Sequence, residues 1–300
     1  MTKKIFVTGA TGVIGRRVVP RLVAAGHRVT AVGRTPEKRA ELERQGVRAI
    51  ALDLSDQPAV NAAVQGCDVV INLATHIPPS SRALWPGAWR ENSRVRRELS
   101  ATLATAALAG SVGRFIQESF APIYADGGDR WLDEASPVRP ARYSRTVLDA
   151  EAAAARAHGV VLRFAFFYGS DSDFSRDGIA MVRRGWAPLL GVPESYFSSI
   201  HHDDAASAVT TALELEPGIY NVADDRPVTR REYADAIAAA VGTKPPRFFP
   251  RWMVKLTGSL GETLSRSQRM ANRKLRAAGW APRYPNALEG WRVVVREIPQ

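Results

Sequence analysis

Residues 4–34 read "KIFVTGATGVIGRRVVPRLVAAGHRVTAVGR". Three apolar residues between a lysine and a threonine form a short strand, and Gly9, Gly12 and Gly15 follow at three-residue spacing. "RRVVPRLVAAG" then carries apolar residues at helical intervals and ends on Gly26, a good helix stop. "HRVTAVGR" returns to strand character. Strand, glycine turn, helix, strand is the opening of a mostly parallel α/β sheet.

The same alternation runs on. Thr35 caps a helix with Pro36 at its first position. "VRAIALDL" (47–54), "CDVVINLA" (67–74), "VGRFIQES" (112–119) and "VVLRFAFFYG" (160–169) read as strands, and "QPAVNAAVQG" (57–66) as a helix. A tryptophan-containing loop, "THIPPSSRALWPGAW" (75–89), leads into a long helix ending near Ala109. After Gly169 the pattern changes. The expected fold is therefore a Rossmann-type doubly wound parallel sheet with a smaller C-terminal substrate-binding domain. Residues 1–169 and about 200–225 belong to the first part, and about 170–199 and 226–300 to the second.

Composition narrows the function. The chain has 300 residues, 45% of them hydrophobic, which is enough for a substantial core. No apolar run approaches the roughly 20 residues that cross a membrane. Polar and glycine residues follow the basic start too soon for a secretion signal, so a cytoplasmic enzyme is expected. Cys67 is the only cysteine, which excludes an internal disulfide and a Cys-cluster metal site. The net charge is +11, and Lys244 to Arg283 holds ten basic residues against Glu262 alone. That segment lacks a nucleic-acid reading motif or an aromatic stacking platform, so a basic face near a cofactor phosphate is the simpler reading.

In "TGATGVIG" (8–15) a tight glycine turn between strand and helix lets backbone N–H groups approach a pyrophosphate, with the helix N-terminus aimed at it. An NAD site often places a carboxylate near the end of the second strand. Gly33 and Arg34 stand there instead, and an arginine suits a 2′-phosphate, so NADP(H) is favoured over NAD(H). Arg16 could reinforce the phosphate site. Asp53 could meet the adenine amino group or cap the next helix.

Taken together, these motifs resemble the extended short-chain dehydrogenase/reductase superfamily, in its NAD-dependent epimerase/dehydratase branch. "TGATGVIG" matches the cofactor loop, "LDLS" (52–55) the adenine-side motif, and "VVINLA" (69–74) the strand beneath the cofactor. "LRFAFFYG" (162–169) resembles the later Arg-Pro-Phe-Asn-x-Tyr-Gly segment, and "IHHDDAA" and "YNVADD" resemble the motifs beyond it. The resemblance implies cofactor contacts from Gly9, Thr11, Gly12, Val13, Ile14 and Gly15, from Asp53 and Leu54, from Leu73 and Ala74, and from Phe164 and Phe166.

The family's catalytic set is altered. Its Tyr-x-x-x-Lys pair aligns with Tyr143 and Val147 in "RYSRTVLDAE" (142–151), so the tyrosine stays and the lysine is absent. The family hydroxyl, four before Tyr124, falls on Phe120, with Ser119 one residue away. Catalytic candidates are Tyr143, with Ser119, Tyr124 and His76 as others. For His76 a structural or substrate-orienting role is favoured. Glu118, Asp126, His201 and His202 are further ionisable candidates. The aspartates after the histidine pair can cap a helix, and the cluster lacks zinc-site spacing, so no metal is expected. Trp85, Trp89, Phe120, Tyr124, Trp131, Phe164, Phe166 and Phe167 suggest an aromatic pocket for a small molecule. The expected function is an atypical NADPH-dependent oxidoreductase acting on a carbonyl or enone. An epimerase/dehydratase and a non-catalytic NADPH-binding sensor or scaffold are the alternatives, and a homodimer is left open.

Overall fold

The computed structural model describes residues 1–85 and 87–298, so Pro86 of the tryptophan loop and residues 299–300 lie outside it. Seven strands make the central sheet: Lys4–Thr8 (β1), Arg28–Val32 (β2), Arg48–Ile50 (β3), Val69–Asn72 (β4), Arg114–Phe120 (β5), Val160–Phe164 (β6) and Gly218–Val222 (β7). Their order is β7-β6-β5-β4-β1-β2-β3, and every pair is parallel. The chain reverses its winding direction between β1 and β4. That is where open α/β sheets leave a crevice beyond their carboxyl ends.

The strands build two cores because alternate residues face opposite sides. Ile5, Val7, Val69, Ile71, Ile116, Val160 and Leu162 point to one face. There they meet Val18, Val19 and Leu22 of the helix Gly15–Ala24 and Ala205, Ala208 and Val209 of the helix His202–Thr211. Phe6, Val70, Phe115 and Val161 point to the other, against Val60 and Val64, Leu103 and Ala107, and Ala153 and Ala154 from three more helices. A third cluster contains Tyr168, Ile179, Val182, Phe197, Tyr233, Ile237 and Trp291.

Three details depart from the sequence expectation. "VVLRFAFFYG" is two strands, Val160–Phe164 and Phe166–Tyr168. Ala165 N–H still bonds the Val222 carbonyl, but Phe166 N–H bonds that of Ser198, so the chain changes partners within two residues. The long helix before Ala109 contains a π turn over Val95–Leu99. At the histidine–aspartate segment the cap is His201, whose Nδ1 accepts from Asp203 N–H. Asp204 instead accepts from the Arg283 and Tyr284 amides, and Asp203 pairs with Arg17.

Asp171 ties this region together. Its carboxylate meets Arg16 and Arg17, both at 2.7 Å, and His202 Nδ1 at 2.9 Å. Burial acts to raise the Asp171 carboxyl, but the His202 and Arg17 hydrogen bonds outweigh it and hold it well below the usual carboxylate range. A depressed carboxyl contributes stability above its unfolded value, near pH 4, and that stability is lost as pH falls toward the folded value. Asp171→Asn should therefore lower the melting temperature at pH 7, and the difference from the parent should shrink below about pH 4. Thermal scans from pH 7 to 3 check this. A gap that is constant with pH would show that the charge is not the cause.

Candidate functional site

The glycine loop is shaped by what it lies against. Gly9 has φ +71°, and a Cβ there would stand 2.7 Å from Ala74 N, with the Leu73 carbonyl closer still. A Cβ on Gly15 would lie 2.7 Å from the backbone of Ala10. Only glycine lets β1, the loop and the end of β4 approach this closely. Gly12 N–H turns back to the Gly9 carbonyl at 3.0 Å. Among the described residues, the N–H groups of Thr11, Val13 and Ile14 have no protein acceptor. Gly12 and Val13 are exposed, whereas Ile14 and Gly15 are buried. A cradle of unpaired amides at the start of a helix, above a sheet crevice, fits the pyrophosphate of a dinucleotide.

At the second strand end Arg34 is exposed. A neighbour that the sequence reading missed joins it: Arg39 Nη1 donates to the Gly33 carbonyl at 3.0 Å. Its signal was its place in the first turn of the helix capped by Thr35. Asp53 does not cap the following helix, because Asp56 does, accepting from Ala59 N–H. Asp53 Oδ1 accepts from the amide and hydroxyl of Ser55, and those bonds hold its carboxyl below the usual range. Leu54 packs half-buried beside it against the second core cluster. Arg16 lies past the loop but is drawn to Asp171.

Tyr143 sits in a turn before the helix Val147–Arg156, and Val147 is wholly buried at that helix's first residue. The Tyr143 ring packs 4.6 Å from the ring of Trp89, and its hydroxyl is buried without a well-aligned partner. Burial pushes the phenol up to about 12, while the Thr263 hydroxyl and the Arg266 and Arg96 cations act in the opposite sense. Arg96 is itself buried and donates to Glu118 at 3.1 Å. Its guanidinium lies 5.8 Å over the Phe120 ring. Phe120 meets Phe166 edge-on at 5.9 Å, and Phe166 stacks on Phe197 at 4.7 Å. Phe166, Phe197, Leu189 and Leu264 line an apolar cleft. No family motif pointed to Arg96, Thr263 or Arg266. The available hint was the spacing Trp89, Asn92, Arg96, which puts the three on one helix face.

Ser119 and Tyr124 lie elsewhere. The Ser119 hydroxyl donates to Glu151, and Tyr124 Oη joins Arg163 and Asn221, all of them buried. His76 is exposed, with its backbone N–H held by Asn92 Oδ1 at 2.9 Å. Trp85 is exposed near Arg82, and Trp131 packs on Arg269 at 4.2 Å. Phe164 is buried, and Phe167 leans on it at 5.3 Å as part of the first core cluster. Asp126 accepts from Gly128 and Ser267 amides and so pins a turn. Burial pushes the His201 imidazole down to about 4. Among the described residues no group of three or more His, Cys, Asp or Glu side chains could hold a metal. None of their helices is long and apolar enough to cross a membrane.

An all-parallel sheet with an amide-lined glycine crevice at its switch point defines a dinucleotide-binding protein of the Rossmann class. The chain belongs to the NAD(P)H-binding family, whose family model matches residues 9–161. It is 32% identical to the 3-diazoavenalumate denitrifying reductase of a Streptomyces species, over 96% of this chain and 98% of that one. It is 28% identical to the 2-alkyl-3-oxoalkanoate reductase of Shewanella oneidensis, over 87% of this chain and 72% of that one. A human epimerase family protein solved with NADPH superposes with a TM-score of 0.83 at 24% identity, covering 98% of this chain and all of that one, a likeness of fold. The relatives place the chain among NAD(P)-binding proteins of the oxidoreductase and epimerase/dehydratase kind.

Proposed function

We propose that the protein is an NADPH-dependent reductase of a conjugated carbonyl or enone compound. The observation that carries this reading is the buried Tyr143 hydroxyl, without a well-aligned partner among aromatic side chains, in a chain with a dinucleotide cradle. Gly9 to Gly15 would hold the pyrophosphate, and Arg34 and Arg39 the 2′-phosphate. NADPH, when bound, supplies the hydride. As the substrate's π pair moves onto oxygen, Tyr143 donates its proton there and is re-protonated from solvent. Trp89, Phe120 and Phe166 exclude water and orient the flat part of the substrate. Residues of about 170–199 and 226–300 would form the substrate-binding part, with Phe197 and Leu264 on the cleft wall. The reductase names of two relatives support the same direction.

An epimerase or dehydratase passing through transient oxidation needs Tyr143 as a base. Its raised phenol opposes that role near neutral pH. The sensor or scaffold reading has one observation in its favour, the buried Val147 where a lysine would activate the tyrosine. NADPH oxidation across a panel of conjugated aldehydes, ketones and enones decides between them. Absence of turnover throughout the panel would retire the reductase reading.

Cofactor choice gives a separate test. Arg34→Ala should weaken NADPH binding about tenfold and leave NADH nearly unchanged, because it removes one charge-assisted phosphate contact. Arg39→Ala should act in the same direction, and the pair together should abolish the preference. Calorimetric titration with both nucleotides checks it. Equal NADPH and NADH affinities in the parent protein would overturn the assignment.

A further inference from the structure

Arg96 Nε, Asn92 Nδ2 and the Tyr143 hydroxyl are buried without a well-aligned partner, and the Arg96 cation acts on the Tyr143 phenol. Native interiors rarely leave such groups open, and completion by water or a ligand is one reason they stay open. Asn92 and Arg96 lie four residues apart on one helix, and Trp89, three before Asn92, contacts Tyr143. The π turn over Val95–Leu99 begins between them, a local widening often found at functional sites. Two of these side chains are held by their other polar atoms. Asn92 Oδ1 holds His76 N–H, and Arg96 Nη2 is held by Glu118. Phe120 lies under the same guanidinium.

We propose that Arg96, Asn92 and Tyr143 form a receptor for one electron-rich oxygen of a flat, conjugated substrate, with Arg96 supplying a directed N–H donor. This rests on the reductase reading above and adds the group that stabilises charge on the reduced oxygen. The Arg96–Glu118 pair is close to neutral as a unit, so the receptor works through directed N–H bonds more than through net charge. An arginine suits this task because protein can hold Nη2 while Nε remains a further donor on the same planar group. Donors fixed before reaction stabilise an oxyanion without reorganising during it. The walls set the substrate class. Trp89 and Phe120 flank the donors and favour an aromatic or polyene body over a sugar.

Benzoate, a flat ring bearing an anionic oxygen pair, is the probe. It is titrated by calorimetry into protein saturated with NADP⁺. The parent protein should bind it in the millimolar range or tighter. Arg96→Lys should weaken it severalfold, and Arg96→Met combined with Glu118→Gln about tenfold or more, with NADPH affinity held. The double substitution avoids an unpaired buried carboxylate, and thermal unfolding of each variant confirms the folded fraction. Tyr143→Phe should weaken benzoate to a similar degree. Unchanged benzoate affinity in the folded double variant, or no benzoate binding to the parent NADP⁺ complex, would overturn the proposal. A merely structural Arg96 would lower the melting temperature and leave benzoate affinity alone. Failure of NADPH to bind at all would instead remove the reductase reading.

Discussion

Tyr143→Phe should lower the rate of hydride transfer about 100-fold or more while NADPH affinity stays within about twofold. The substitution removes one oxygen and keeps the ring that packs on Trp89. The hydroxyl it removes has no well-aligned protein partner and only the Thr263 hydroxyl nearby, so the fold loses little hydrogen bonding. The loss therefore falls on the transition state, where proton donation and charge on oxygen matter. The pH profile adds a second signature. Reduction needs the protonated phenol, and burial raises that group to about 12. The rate should show no limb from Tyr143 through neutral pH and should fall only in strong alkali. Oxidation in the reverse direction needs the phenolate and should be slow at pH 7 and rise with pH. Single-turnover NADPH oxidation between pH 6 and 10, with the best substrate of the panel, measures both. Parent-like hydride transfer in the phenylalanine variant would remove this tyrosine from the mechanism. Val147→Lys should not restore family chemistry. Val147 is wholly buried at a helix start, and an ammonium there would be desolvated inside the core.

The sheet was legible because its signals are local and repeated. β1, β4, β5 and β6 read as short, nearly continuous apolar runs because they are buried on both faces, their side chains going alternately to the two core clusters. The glycine loop was legible for a related reason: Gly9 needs a positive φ and a close approach to Leu73, and few other residues allow both. Chain-partner choices were harder to read. Nothing in "FAFF" says that Ala165 belongs to one sheet and Phe166 to another, since that depends on the carbonyls of Val222 and Ser198, more than 30 residues on. The histidine cap was missed because aspartate is the commoner N-cap, and here tertiary partners had claimed both aspartates. Arg39 and Arg96 were hidden by number: among the many arginines of the chain, only position in the folded molecule separates them. Ser119 shows the opposite case. Its place next to the family's hydroxyl position drew attention to it, while the group that bonds it, Glu151, lies 32 residues away on a helix.

Arg163→Met should give the largest loss of stability of any single substitution considered, about 3–5 kcal/mol. Arg163 and Glu151 are both buried, and they meet through two parallel bonds of 2.8 and 2.7 Å. The remaining arm of Arg163 donates to Tyr124 Oη at 2.9 Å, and that hydroxyl donates on to Asn221 Oδ1 at 2.8 Å. Ser119 completes the chain on Glu151. Strands β5, β6 and β7 and the helix Val147–Arg156 are thereby joined by one network. Removing the guanidinium leaves a carboxylate in the interior without a counter-charge, which is the costly half of a buried pair. Removing both ends should cost far less, so Arg163→Met with Glu151→Leu should recover most of the loss. Ser119→Ala deletes one neutral donor to a charged acceptor and should cost about 1–3 kcal/mol. Urea unfolding midpoints for the four proteins measure the series. The serine variant also separates two roles. A network role predicts a lower midpoint with NADPH turnover near the parent value under native conditions. A catalytic role for Ser119 predicts the reverse: an unchanged midpoint and a fall in kcat.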